Sequence, residues 1–133
     1  MVGNASVSPT DSIALQPMTD NSKLISERIN QLLRHCLDNF QRQYDMSELH
    51  WDIRPGRKYI KILMATSLKA RDPNQEITGW STWCFVDKET GAVYKPADWR
   101  GPAKGIRYHL LDDDSYADAC QRVDWSGGWL YIR

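Results

Sequence analysis

The sequence has no long apolar run. Nothing in its 133 residues approaches the roughly 20 consecutive apolar residues that a membrane-spanning helix needs, and residues 1–10 lack the basic start and apolar stretch of a secretory signal. The expectation is a protein made in the cytoplasm with no membrane association. Cysteine is sparse as well: Cys36, Cys84 and Cys120 are odd in number, far apart and without C-x-x-C spacing. That pattern argues against a disulfide framework or a zinc site and for buried thiols on three different elements. A G-x-x-x-x-G-K-[ST] phosphate loop is missing. His35, His50 and His109 are scattered, none beside a cysteine or serine in a known nucleophile motif. These absences lead to the expectation of a protein that is not an enzyme and carries no cofactor.

Net charge is also absent, with 17 basic and 17 acidic side chains, but the charges are segregated. Residues 54–109 hold eleven Lys or Arg against five Asp or Glu, whereas the flanking stretches are each acidic. A basic middle between acidic ends suits either an anion-binding face or a protein whose parts neutralise one another. The length fits one domain.

Taken in order, residues 1–18 are rich in Ser, Thr, Pro, Asn and Gly and offer little to bury, which predicts a flexible arm. Residues 19–133 then form the single folded domain. Ile25, Ile29, Leu32, Leu33, Cys36, Leu37, Phe40 and Tyr44 recur at three-and-four spacing and predict a long amphipathic helix, with N-caps available at residues 19–22. Leu49, Trp51 and Ile53 alternate with polar residues, Pro55-Gly56 marks a turn, and residues 59–66 alternate again, which predicts a hairpin whose outer row includes Tyr59, Lys61 and Leu63. Residues 67–78 read as a long mobile loop.

A strand is expected over residues 79–86, with Trp80, Thr82, Cys84 and Val86 on one face and Ser81, Trp83 and Phe85 on the other. Asp87 to Gly91 fits a type I turn closed by a left-handed glycine, and Ala92 to Lys95 returns antiparallel. Pro96 ends that strand, and residues 97–109 read as a loop. Asp113 or Asp114 is placed to cap a short helix from Ser115 to Val123, and residues 129–132 read as a terminal strand. The architecture expected is α+β, a long N-terminal helix packed on a small antiparallel sheet of four or five strands, with a short second helix before the last strand.

The candidate working surface is basic and aromatic. Lys61, Lys95, Arg100, Lys104 and Arg107 offer charge to phosphates, and Trp99 and Tyr108 offer rings to bases, a combination suited to single-stranded nucleic acid. The competing reading makes Trp99 and Tyr108 plugs of a small core, with cationic stems lying across them. Asp112, Asp113, Asp114 and Asp118 do not have the spacing of a cation loop, and helix capping accounts for them better. Six tryptophans are many for this length, so some are expected to face a partner, either nucleic acid or protein.

Phe85-Val86-Asp87, Thr90-Gly91, Val93-Tyr94-Lys95, Trp99, Pro102-Ala103-Lys104, Arg107-Tyr108 and residues 124–131 (DWSGGWLY) together resemble a family of small uncharacterised bacteriophage proteins. Its pattern runs FVD-x-x-TG-x-VYK-x-A-x-W-x-x-PAK-x-x-RY. The resemblance covers residues 57–133 and leaves the long helix and the arm as additions of this chain. It implies a phage protein made in a bacterial host, in the host cytoplasm or incorporated in the virion. Two functions are in view: a nucleic-acid-binding accessory protein, or a virion subunit such as a capsid cement or decoration protein using its arm and exposed tryptophans. Partners would be nucleic acid or other virion subunits, and the chain could form a homo-oligomer.

Overall fold

The computed structural model describes residues 19–131; the expected arm at residues 1–18, and Ile132 of the expected terminal strand, lie outside that range. Helix α1 (Asp20–Gln43) is followed by an antiparallel meander of five strands in spatial order β1-β2-β3-β4-β5. The strands are β1 (Ser47–Pro55), β2 (Tyr59–Leu68), β3 (Ser81–Asp87), β4 (Ala92–Pro96) and β5 (Pro102–His109), and helix α2 (Asp113–Arg122) closes the fold. This is the α+β architecture that the sequence pattern predicts.

Helix α1 starts where Thr19 accepts the Ser22 N–H at 3.0 Å, satisfying one of the orphan donors of the first turn. Its apolar stripe, Ile25, Ile29, Leu32, Leu33, Cys36 and Phe40, is buried along its length. Each large member of that stripe contributes about 1.5–3 kcal/mol when removed from water. It packs over Ile62, Met64, Cys84, Val86 and Val93 of the sheet, and Leu110, Ala119, Val123 and Leu130 complete the same core. Arg28 ties the two helices together. Its guanidinium donates to the Leu110 carbonyl at 2.8 Å and to Asp113 at 2.7 Å, and lies 4.5 Å from the Tyr116 ring centroid.

Two bulges change which side chains face the helices. Ile62 pairs with Cys84 and Leu63 with Thr82, so Trp83 is an extra residue in β3. Trp83 and Cys84 therefore both enter the helix-side core, and the strict alternation expected for this strand fails at that point. On β5, Val93 pairs with Tyr108 and Tyr94 with Ile106, leaving Arg107 as the extra residue. What reads in sequence as a loop over residues 97–109 is thus a short turn followed by an irregular strand.

The turn at residues 87–91 forms as expected. Asp87 Oδ1 accepts the N–H groups of Glu89 and Thr90 at 2.8 and 3.0 Å, and Gly91 adopts φ +75°. Burial works to raise the Asp87 pKa, but the donors of Thr90 and Glu89, with Lys58 nearby, outweigh it and hold the carboxyl below its ordinary value. The segment between β2 and β3, expected to be slack, is pinned by Arg71, which donates to Ser67 Oγ and to the carbonyls of Asp72 and Gln75.

Helix α2 begins earlier than expected, with Asp112 as the cap accepting the Ser115 N–H at 2.9 Å. No terminal strand forms at residues 129–131. Gly127 turns the chain at φ +89°, Asp124 accepts the Trp129 N–H at 3.2 Å, and Gly128–Leu130 is a 3₁₀ turn. The apolar run there fills the core instead of a ladder. The Trp129 ring stacks on Tyr108 at 5.2 Å and leans on Trp83 at 5.0 Å.

Candidate nucleic-acid interface

The sheet has a second face, turned away from both helices. Alternation along β2 places Tyr59, Lys61, Leu63 and Ala65 on it, and register carries the row through Phe85 to Tyr94 and Ile106. Leu63, Ala65 and Phe85 are buried there although neither described helix lies above them. Side chains and a turn supply the cover. The Tyr59 ring meets Phe85 edge-on at 6.1 Å and Tyr94 at 5.8 Å. The turn after β4 folds back so that Lys61 Nζ lies 4.6 Å from the Trp99 ring centroid and Thr82 Oγ1 reaches the Trp99 carbonyl at 3.5 Å.

That turn has its own local cause. Asp98 Oδ1 accepts the N–H groups of Arg100 and Gly101 at 2.8 and 3.2 Å, and the Ala97 N–H bonds to the Gly101 carbonyl at 2.9 Å. An aspartate gripping the backbone two residues on is a strong turn former. The donors of Arg100 and Gly101 hold the Asp98 carboxyl below its ordinary pKa, and the Arg100 and Lys61 charges act in the same direction. The result presents Trp99, 45 % exposed, and Arg100 at the crest of the turn.

Of the residues singled out from sequence, Lys61, Trp99 and Arg100 come together here. Lys104 is exposed on β5, and Arg107 is a half-buried bulge residue. Lys95 departs from the group. It alternates with Tyr94 and its Nζ lies 4.5 Å from the ring centroid of Tyr131. Tyr108 is corrected outright as a binding residue. It is 2 % exposed, its hydroxyl donates to the Trp129 carbonyl at 3.1 Å, and burial raises its pKa. The bulge at Arg107 is the physical reason, since it sets Tyr108 opposite Val93 on the helix side.

Sequence reasoning placed Tyr59 in the outer row with Lys61 without counting it among the candidate site residues, and did not single out Tyr94 as one. The available signal was their alternation in phase with Lys61 on neighbouring strands. Arg54 sits opposite Lys61 across β1 and β2, where Asp52 already meets its guanidinium at 2.9 Å. The aromatic surface is therefore Tyr59, Tyr94 and Trp99, with Arg54, Lys58, Lys61 and Arg100 around it.

The chain from residue 10 to residue 132 matches the model of a family described as a family of unknown function, DUF7717. The chain belongs to this family. The match takes in α1 together with the sheet and α2, so the helix-covered core and the outer face described above both lie within the family's span. No curated protein and no solved structure matches the chain.

The remaining chemistry is quiet. Among the described residues no group of three His, Cys, Asp or Glu is placed to hold a metal ion. Asp112 caps α2 and Asp113 pairs with Arg28. Burial pushes the Cys36 thiol up to about 12, with Asp124 adding to the effect, and raises Cys84 and Cys120 as well. Thiols so shifted carry almost no thiolate at neutral pH. No described helix is long and apolar enough to cross a membrane.

Proposed function

We propose that the outer sheet face binds single-stranded nucleic acid with little sequence preference, as a non-enzymatic accessory protein of a bacteriophage. The observation that carries this reading is Lys61 set against Trp99 beside the Tyr59–Tyr94 pair, on the sheet face opposite both helices. Rings at the surface of a sheet give bases a π-surface to stack on, and neighbouring cations meet the phosphates. Asp98 is the one carboxylate at the crest of the turn, and its charge is already directed at the backbone of Arg100 and Gly101. The phage setting is supported by the sequence pattern of residues 57–133.

The test is fluorescence anisotropy with a labelled oligonucleotide of about 15 nucleotides, a length that covers one sheet-sized site. Binding is expected at about 50 mM salt and should fall steeply by about 200 mM. Trp99→Ala should weaken it by roughly 5- to 100-fold, as loss of one stacked base does. Arg100→Ala with Lys104→Ala should weaken it while the fold survives, and Lys95→Ala should change it little. No measurable binding at low salt would sink the reading.

A second reading, a virion subunit such as a capsid cement or decoration protein, draws on a different surface. Tyr44, Met46 and Leu68 are exposed together where α1 enters the sheet, with Leu68 opposite Ser47 and the Met46 carbonyl bonded to the Lys69 N–H at 3.0 Å. Mass spectrometry of purified particles distinguishes the two, since a subunit is present at fixed stoichiometry.

A further inference from the structure

The two edges of the sheet are built differently. Strand β5 is guarded: Pro102 starts it, Lys104 is exposed on it, Gly105 sits at φ +98°, and its register with β4 shifts twice. Such features are how edges are kept from pairing with other chains. Strand β1 has none of them along its middle. It pairs with β2 in unbroken register from Ser47 to Pro55, carries no lysine and has its proline at the very end.

Hydrogen bonding fixes which groups of β1 point outward. The Gly56 N–H bonds to the Tyr59 carbonyl at 2.8 Å, and the Met46 carbonyl accepts from Lys69 at 3.0 Å. In an antiparallel ladder, alternate residues bond the same neighbour. Positions in phase with 46 and 56 are therefore turned to β2, and Ser47, Leu49, Trp51 and Ile53 present N–H and C=O to the side on which no other described strand lies. Pro55 falls in the outward set, where its missing donor costs β2 nothing.

We infer that this edge pairs with the β1 edge of a second copy of the chain, antiparallel and two-fold about Trp51, joining two sheets into one. Charge complementarity favours a second copy as the partner, and together with full overlap of the two strands it selects the register, since an axis at Ile53 would also set Asp52 against Arg54 but would pair only residues 51–55. On the outer face, β1 reads Glu48, His50, Asp52, Arg54. With the axis at Trp51, Glu48 faces Arg54 of the second copy and His50 faces its Asp52, and the symmetry repeats both pairs. Moving the axis to His50 sets Glu48 against Asp52, and moving it to Asp52 sets His50 against Arg54 and Asp52 against itself. On the helix side the same register places Leu49 against Ile53 and Trp51 against Trp51. Trp51 and Ile53 are only half-buried within one chain.

A groove of about 300 Å³ between this edge and α1 is lined by Leu37, Phe40, Gln41, residues 47–50 and Lys69, and so includes Leu49, the residue that Ile53 of the second copy would face. A symmetric pairing of this kind is self-complementary and closes on itself without growing into a fibre.

The experiment is sedimentation velocity on the full chain over about 1–100 μM, a range that brackets interfaces of modest affinity. A concentration-dependent dimer is expected. Glu48→Arg alone and Arg54→Glu alone each place like charges opposite one another at both ends of the interface, and each should weaken dimerisation by about tenfold. The double variant, Glu48→Arg with Arg54→Glu, restores opposite charges in the same register and should recover dimerisation to within about threefold of the starting chain. Both side chains are exposed, so the fold should tolerate the changes, and circular dichroism checks this. A chain that stays monomeric throughout the range overturns the inference. So does a dimer indifferent to the single changes, or one that the double change fails to rescue.

Discussion

Arg28→Met removes the guanidinium from the junction of α1, β5 and α2 while keeping most of the aliphatic stem, so the loss measured is that of the head group. Its largest component is the bond to the Leu110 carbonyl, because Leu110 is fully buried and the Arg28 side chain is only 17 % exposed. A charged donor to a buried acceptor is worth about 1.5–3 kcal/mol, and removing it leaves the carbonyl without that partner. The ion pair to Asp113 adds little, since that carboxylate is 86 % exposed and solvent screens it. Stacking over Tyr116 adds about 0.5–1 kcal/mol. These contributions overlap, so the expected loss is about 2–3 kcal/mol, a large part of the roughly 5–15 kcal/mol that holds a typical domain. Urea unfolding followed by tryptophan fluorescence should show the midpoint falling by about 1–2 M with an unchanged slope. Asp113→Ala should cost under about 0.5 kcal/mol in the same assay. If Arg28→Met also stays within about 0.5 kcal/mol of the starting chain, Leu110 is satisfied without the guanidinium and the reasoning fails.

Two further expectations test the β3–β4 turn. Gly91→Ala forces a side chain into a left-handed conformation and sets its Cβ 3.2 Å from Leu111 Cγ and 3.3 Å from the Leu111 nitrogen; a loss of about 2 kcal/mol is expected, read as a fall of roughly 6–8 °C in Tm. Asp87→Asn keeps an acceptor for the Glu89 and Thr90 N–H groups but removes the charge. Because the folded carboxyl titrates below its unfolded value, its ionic contribution is complete above the ordinary carboxylate pKa and is lost as pH falls through the lower folded one. The stability gap between the two chains should therefore be full at pH 5–7 and close as the pH drops below about 4. A gap that widens in acid would contradict the assigned cause.

Local signals in the sequence carried most of the fold. The spacing of Ile25, Ile29, Leu32, Leu33, Cys36 and Phe40 marked a helix because one face had to be apolar, and Asp87 to Gly91 marked a turn because that conformation needs a glycine at its end. What the sequence hid were the bulges in the ladders, above all those at Trp83 and Arg107. A bulge has no signature of its own when the inserted residue is Trp83 or Arg107, yet each reverses the facing of its neighbours. Hence Trp83 joins Cys84 inside, and Tyr108 leaves the binding face for the core. Residues 129–131 look like a strand because Trp, Leu and Tyr favour one, but Asp124 and Gly127 bind the backbone into a turn first. The candidate surface was partly visible: Lys61, Trp99 and Arg100 were singled out from charge and ring content and Tyr59 stood beside Lys61 in the outer row of β2, whereas Tyr94 needed the register that brings β2, β3 and β4 side by side.

The clasp between α1 and the chain's last elements bears on how the protein comes to be folded during its synthesis. The strands form a meander in which each partner is the next to be made, so the sheet can assemble as it leaves the ribosome. Helix α1 cannot finish in that way. Arg28 waits for Leu110 and Asp113, Gln31 for Tyr116, and Phe40 and Tyr44 for Trp125, which meets both rings edge-on. Helix α1 thus keeps part of its apolar stripe uncovered until residues beyond 110 arrive. A ribosome stalled before them would display a greasy helix on a nearly complete sheet, a surface suited to chaperone capture.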